Sequence, residues 1–289
     1  MTGFVQDFGS NPFLLTGLLA GLLASVACGV MGPYVITRRI VFLAGAMAHI
    51  AIGGVGASIF LADRYPAVFS GWRPIYGATL IAVLAAMVLA ILHQRVQERL
   101  DTIVGALWAT GMAVGLLLIK LTPGYHTELM GYLFGNIAFV AWRDIALVAI
   151  LDGVIVVVAI LWHKRFLALC LDAEQAELQG IPVLLTEMLL LVMVALTVIV
   201  LTQVVGLILV IALLSLPAAA VAQRVSRMAS LIWYSVALSA LLTTVPRVLV
   251  YGTRISPEAA IVLAAAGVYL LALASRRWRI GDGTPNPTA

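Results

Sequence analysis

Apolar runs long enough to cross a bilayer follow one another along almost the whole of this chain, with only brief polar breaks between them. A hydrocarbon core roughly 30 Å thick takes about 20 helical residues to span, so runs of this length specify membrane-crossing helices. Nine can be marked, at 12–36, 41–62, 75–94, 101–121, 143–162, 184–202, 205–222, 229–246 and 257–275. They define one transmembrane domain over 12–275, with an external N-terminal segment, 1–11, and a tail, 276–289. The expected fold class is all-α, a polytopic bundle of about eight or nine transmembrane helices. With 63% hydrophobic and 10% charged residues, the composition excludes a soluble globular domain.

The basic residues orient the bundle. With the N-terminus outside, Arg38, Arg39, Arg95, Arg99, Lys164, Arg165, Arg224, Arg227, Arg276, Arg277 and Arg279 fall on the cytoplasmic side. Arg64, Arg73, Lys120, Arg143, Arg247 and Arg254 fall outside. The imbalance supports an external N-terminus and a cytoplasmic tail. The net charge of +4 is thereby topological, and nucleic acid is not an expected partner; the lipid bilayer is. The start, MTGFVQDFGSNPF, carries no basic segment ahead of the first run, so that run reads as a retained span. Cys28 and Cys170 stand alone in different regions, which argues against a disulfide framework or a zinc finger.

Residues 127–142, TELMGYLFGNIAFVAW, are apolar but short and broken by glycine, and a re-entrant or interfacial helix on the outer side fits them. Small residues such as Gly17 and Gly21, Gly53, Gly54 and Gly56, and Gly111 and Gly115 predict close helix contacts. Between the basic exit His163–Lys164–Arg165 and the next span lies a polar stretch, LDAEQAELQGIP. Asp172 is a good N-cap, Gln175 stands where a capping box wants it, and Gly180 and Pro182 supply a stop. Glu174 and Glu177 lie near the positive end of the helix dipole. A short capped helix on the cytoplasmic face is a handle for a soluble partner.

Four stretches, TRRIVFLAGAMAHIAIGGVG (37–56), ELMGYLFGNI (128–137), LDAEQAELQGIPV (171–183) and QVVGLILVIALLSLPAAAVA (203–222), together resemble the permease subunit of the ABC-3 family of zinc and manganese importers. The resemblance runs from about Gly17 to Leu273. It implies a type II importer fold in the bacterial plasma membrane: two copies of the chain side by side, each on a cytoplasmic ABC ATPase, with an extracytoplasmic binding protein delivering the metal. It also implies that Asp172, Ala176 and Gly180 belong to the coupling helix that enters a groove on the ATPase. The chain has no GxxxxGK[ST] phosphate loop, so the expectation is a non-catalytic subunit that binds no cofactor, with ATP used by the partner.

His49 is the leading residue for the metal path. An ionisable side chain inside a span is costly and faces a cavity or a partner, and Gly45 and Gly53 flank it one turn either way. The residue alone is compatible with a structural bond to a carbonyl as much as with a ligand; the resemblance favours the ligand. Family members pair that histidine with an acidic residue where this chain has Gly45, and follow the LFG motif with Asp where it has Asn136. The loss of both carboxylates leaves three readings: a softer, His-dominated zinc path, ligands supplied from elsewhere, or a substrate other than a bare divalent cation. Zinc is the expected substrate, because manganese depends more on oxygen ligands, with manganese or iron as the alternative. Glu128 matches the acidic position before LFG and is a candidate for the outer mouth with His126. Arg247 and Arg254 are placed on an outer loop as candidates for docking the binding protein, and Pro217 as a candidate hinge. Asp152 is expected to face protein and be bonded there; Glu187 is expected to reach water at the cytoplasmic edge and is given no role. Two other classes fit less well. An ion-driven carrier wants several buried acids or matching broken halves, and an intramembrane enzyme wants a convergent catalytic set such as HExxH; the sequence offers neither.

Overall fold

A computed structural model describes residues 12–69, 71–95, 100–123 and 141–281, which form helices and their connections with no strand among them. In chain order these are α1 (Pro12–Thr37), α2 (Val41–Arg64), α3 (Pro66–Phe69), α4 (Pro74–Arg95), α5 (Leu100–Lys120), α6 (Trp142–Leu171), α7 (Ala173–Leu178), α8 (Val183–Val205), α9 (Leu207–Ala222), α10 (Met228–Leu249) and α11 (Pro257–Gly281). Eight are long and apolar enough to cross a membrane. The expected seventh span, 205–222, is shorter than the sequence suggests. Val205 completes α8, and Gly206, at φ 86° and ψ 155°, occupies backbone space that side chains avoid. Beyond it α9 has only 16 residues, roughly 24 Å at 1.5 Å per residue.

The helices alternate in direction, and side-chain pairs fix which ends lie together. Tyr34 near the end of α1 meets His163 and Cys170 near the end of α6. Arg38, just past α1, meets Glu187 at the start of α8, and His93 at the end of α4 meets the same carboxylate. Arg224 after α9 bonds Ser275 in α11. All these belong to one end of the bundle, here called the α7 end. At the opposite end Trp72, ahead of α4, donates to Ser58 in α2. α5 finishes and α6 begins at that opposite end, while the re-entrant segment expected at 127–142 lies, apart from its last two residues, outside the described residues.

Close backbone approach holds the interior together. A Cβ built on Gly54 would lie 2.2 Å from the Gly77 carbonyl oxygen of α4. On the neighbouring face, one on Gly56 would lie 2.3 Å from the Gly115 carbonyl oxygen of α5. α1 meets α9 in the same way, with Gly32 under the Leu214 carbonyl. Lipid tails are as apolar as leucine, so helix association in a bilayer draws on such contacts rather than on a hydrophobic force. The outward faces carry the large apolar residues, among them Leu80, Ile150, Ile160, Trp233, Leu263 and Leu271. α11 runs to Gly281, past the expected boundary at 275.

Candidate functional site

The polar stretch after α6 folds as expected, with one difference. Asp172 Oδ1 accepts hydrogen bonds from the backbone N–H groups of Glu174 (3.0 Å) and Gln175 (3.1 Å), capping α7. The reciprocal half of a capping box needs the Asp172 N–H, but that group donates to Ala168 O as the last bond of α6. α6 itself continues well past residue 162, to Leu171, so α7 hangs from the end of a 30-residue helix. At its other end Gly180 (φ 78°) donates to Glu177 O and Ile181 N to Ala176 O, the paired bonds of a Schellman stop. Ala176 is the one buried residue of α7, packed beneath it, while Leu171 and Leu178 are exposed on its flanks. The six-residue helix thus has both ends satisfied, with one exposed leucine, Leu178, in its last turn and another, Leu171, just ahead of its cap.

Beside α7 lies a cleft of about 730 Å³. Its wall includes the acidic Asp172, Glu174 and Glu177 together with Arg38, His93 and Gln94. Beneath this wall Glu187 is 1% exposed, which corrects the expectation that it reaches water. Its Oε1 is bonded by His93 Nδ1, and its Oε2 accepts from Gln94 Nε2 (3.3 Å) and Arg38 Nη2 (3.4 Å). The α1–α2 turn, the end of α4 and the start of α8, far apart in sequence, therefore converge on one carboxylate. The sequence held one signal for this group: the expected topology puts the end of the first span, the end of the third and the start of the sixth on the same side of the membrane.

His49 lies on α2, eight residues past its start, and is half-buried. Its Nδ1 stands 2.8 Å from the Gly45 carbonyl. A carbonyl only accepts, so Nδ1 is the donor in this bond, and Nε2 is the ring nitrogen left for a ligand, the division of roles that a metal-binding imidazole uses. Trp108 of α5 covers one side of the ring, with centroids 4.4 Å apart. Among the described residues, a Cβ on Gly45 would meet only Ile211 of α9, at 3.9 Å, so none of their side chains crowds the turn before His49. Among the described residues no cluster of three or more His, Cys, Asp or Glu side chains gathers to hold a metal. Glu128, His126 and Asn136 lie outside the described residues.

The other expected positions separate. Arg254 is exposed in the loop between α10 and α11. Arg247 is not in that loop: α10 continues to Leu249, and the side chain is 5% exposed in its last turn, which removes it from a free docking surface. Pro217 is buried within α9, beside the turn on which Gly32 packs. Asp152 does face protein, at 4% exposure, but the expected bond is missing: neither carboxylate oxygen has a partner among the described residues.

A bundle of eight membrane-length helices carrying an exposed, doubly capped helix at one end is the architecture of an ABC transporter permease. The family model of the ABC 3 transport family matches residues 10–276, and the chain belongs to that family. A membrane protein of Synechocystis sp. is 37% identical over 92% of this chain and 91% of its own length. A protein of Chlamydia trachomatis described as a probable metal transport system membrane protein is 33% identical over 96% of this chain and 94% of its own. The solved structure of PsaBC from Streptococcus pneumoniae in complex with Fab superposes with a TM-score of 0.81, at 25% identity, over 94% of this chain and 95% of that one. This chain is accordingly a multi-pass membrane subunit of a bacterial metal ABC transporter and is not itself catalytic.

Proposed function

We propose that this chain forms the channel of an ATP-driven importer for a divalent transition metal, with zinc as the leading substrate. Two copies would stand side by side, each on a cytoplasmic ABC ATPase, and an external binding protein would deliver the metal. The observation that carries the reading is α7. Its ends are capped by Asp172 and Gly180, Ala176 is its one buried residue, and Leu171 and Leu178 are left for a partner to cover. Arg38, Arg39, Arg95, Lys164, Arg165, Arg224 and Arg227 collect at the same end of the bundle, which supports a cytoplasmic α7. A motor that closes on ATP would move α7, and α7 is joined by Asp172 to α6 and by Ile181–Pro182 to α8.

His49 is the proposed ligand on the path, through Nε2. With Gly45 in place of a carboxylate, an imidazole-dominated site suits zinc better than manganese. Manganese remains the rival, because a 28% identical protein of Halalkalibacterium halodurans is named a manganese transport system membrane protein. Arg254 is the proposed contact for the binding protein and Pro217 the proposed hinge.

The test uses the complete transporter in proteoliposomes. Asp172→Arg combined with Gly180→Val is expected to abolish ATP-dependent uptake while the chain still folds; uptake at the normal rate refutes the coupling role. His49→Ala is expected to remove zinc(II) uptake, and competition between zinc(II) and manganese(II) ranks the substrates.

A further inference from the structure

α7 packs chiefly on its own flanking helices, α6 and α8, so whatever force it takes up leaves through the two chain segments on either side. Both segments are tied to the same short stretch of α1 and the turn after it. On the α6 side, Tyr34 shares a 2.6 Å hydrogen bond with His163 Nδ1, stacks edge-on against Phe166 and accepts at its carbonyl from Cys170 Sγ. On the α8 side, Glu187, one turn after Val183, takes Arg38 from the α1–α2 turn together with His93 and Gln94 from α4. Arg38 is held in place by an unusual turn. Arg39 is the one non-glycine residue with positive φ (62°) among the described residues. Ile40 N bonds back to Val35 O and Arg39 N to Ile36 O, a Schellman stop built without glycine. Left-handed backbone is unfavourable for an arginine, so the surrounding contacts must over-determine it.

We propose that Glu187 is a positioning residue for transport: its carboxylate clamps the start of α8 to the foot of α1 and to α4, so that displacement of α7 moves these helices together. The clamp depends on burial. A carboxylate buried in protein and shared by an arginine, a histidine and a glutamine holds those groups in register better than water would, where exposed pairs contribute little. This inference rests on the reading that α7 takes up motion from an ATPase.

The experiment measures ATP hydrolysis and zinc(II) or manganese(II) uptake in the same proteoliposomes holding the whole transporter. Glu187→Gln keeps the size of the side chain and removes its charge. The expected result is that hydrolysis continues while metal taken up per ATP falls about fivefold or more, the scale of an ordinary coupling free energy. A residue that only supports the fold lowers both activities together, and an unchanged ratio in an assembled variant overturns the proposal. Where Glu187→Gln does not assemble, Arg38→Gln attacks the same clamp from α1 and is judged by the same ratio. If the unaltered transporter hydrolyses ATP and takes up neither metal, the proposed function fails first, a result separate from any change of ratio in the variants.

Discussion

Glu187 and Asp152 are both carboxylates on membrane-length helices, and both are almost fully buried, at 1% and 4% exposure. Their surroundings are opposite. Glu187 sits one turn inside α8 at the α7 end and is bonded from two other helical segments. Asp152 sits ten residues into α6, and both its oxygens lack a partner among the described residues. Burial alone therefore does not say what an acid is for. A partnered acid at the end of a bundle fixes the relative positions of helices, while an unpartnered acid deep in one carries a cost that its neighbours do not offset.

The first way to break this contrast is to delete the partnered acid. Glu187→Ala leaves Arg38 and His93 facing a buried gap, and losing one member of a buried ion pair costs about 3–5 kcal/mol. The lower end is expected, since Arg38 keeps 19% of its side chain exposed and regains some water. Thermal unfolding of the detergent-solubilised chain checks this, and an unchanged midpoint would mean the clamp carries no stability. Deleting the unpartnered acid should act in the other direction. Leucine has the branching of aspartate without its polarity, so Asp152→Leu is expected to stabilise by about 1–2 kcal/mol, the cost of an unsatisfied buried group. A fall in the unfolding midpoint would mean that the carboxyl has a partner outside the described residues.

A smaller effect is expected on the α6 side of α7. Tyr34→Phe keeps the ring on Phe166 and removes the hydroxyl bonded to His163. The loss is about 1 kcal/mol, the net worth of an ordinary hydrogen bond, and the same unfolding measurement reads it. If Tyr34→Phe proved as damaging as Glu187→Ala, the α6 arm would carry as much of the connection as the α8 arm.

Sequence alone assigns these two acids the other way round, and the reason is physical. The existence of the spans, the α7 cap and its glycine stop depend on residues within a few positions of one another, and composition and spacing report such things directly. Asp172 and Gly180 are legible for that reason, while the small residues Gly53, Gly54 and Gly56 announce a close contact without naming its partners. Glu187 is 149 residues from Arg38 and 94 from His93, so no local pattern records their meeting. Arg247 is misplaced because a basic residue near the end of an apolar run resembles a loop residue, although α10 continues past it to Leu249. His49 is legible as a polar interruption of an apolar helix. Its Trp108 neighbour on α5 is not, since that contact depends on where Gly53 and Gly56 let α2 and α5 meet.

The smallest effect separates two reasons for a glycine at position 180. Its φ of 78° is unfavourable for alanine, and open space surrounds the position a Cβ would take. Strain is then the whole structural cost of Gly180→Ala, about 1 kcal/mol. Asparagine tolerates left-handed backbone, so Gly180→Asn should restore most of that loss in the unfolding assay. Uptake by the assembled transporter then decides what the open space is for. If Gly180→Asn is stable and transports normally, glycine is there for its backbone alone. If it is stable and transports poorly, the space belongs to the partner that covers α7, and the side chain occupies room the partner needs.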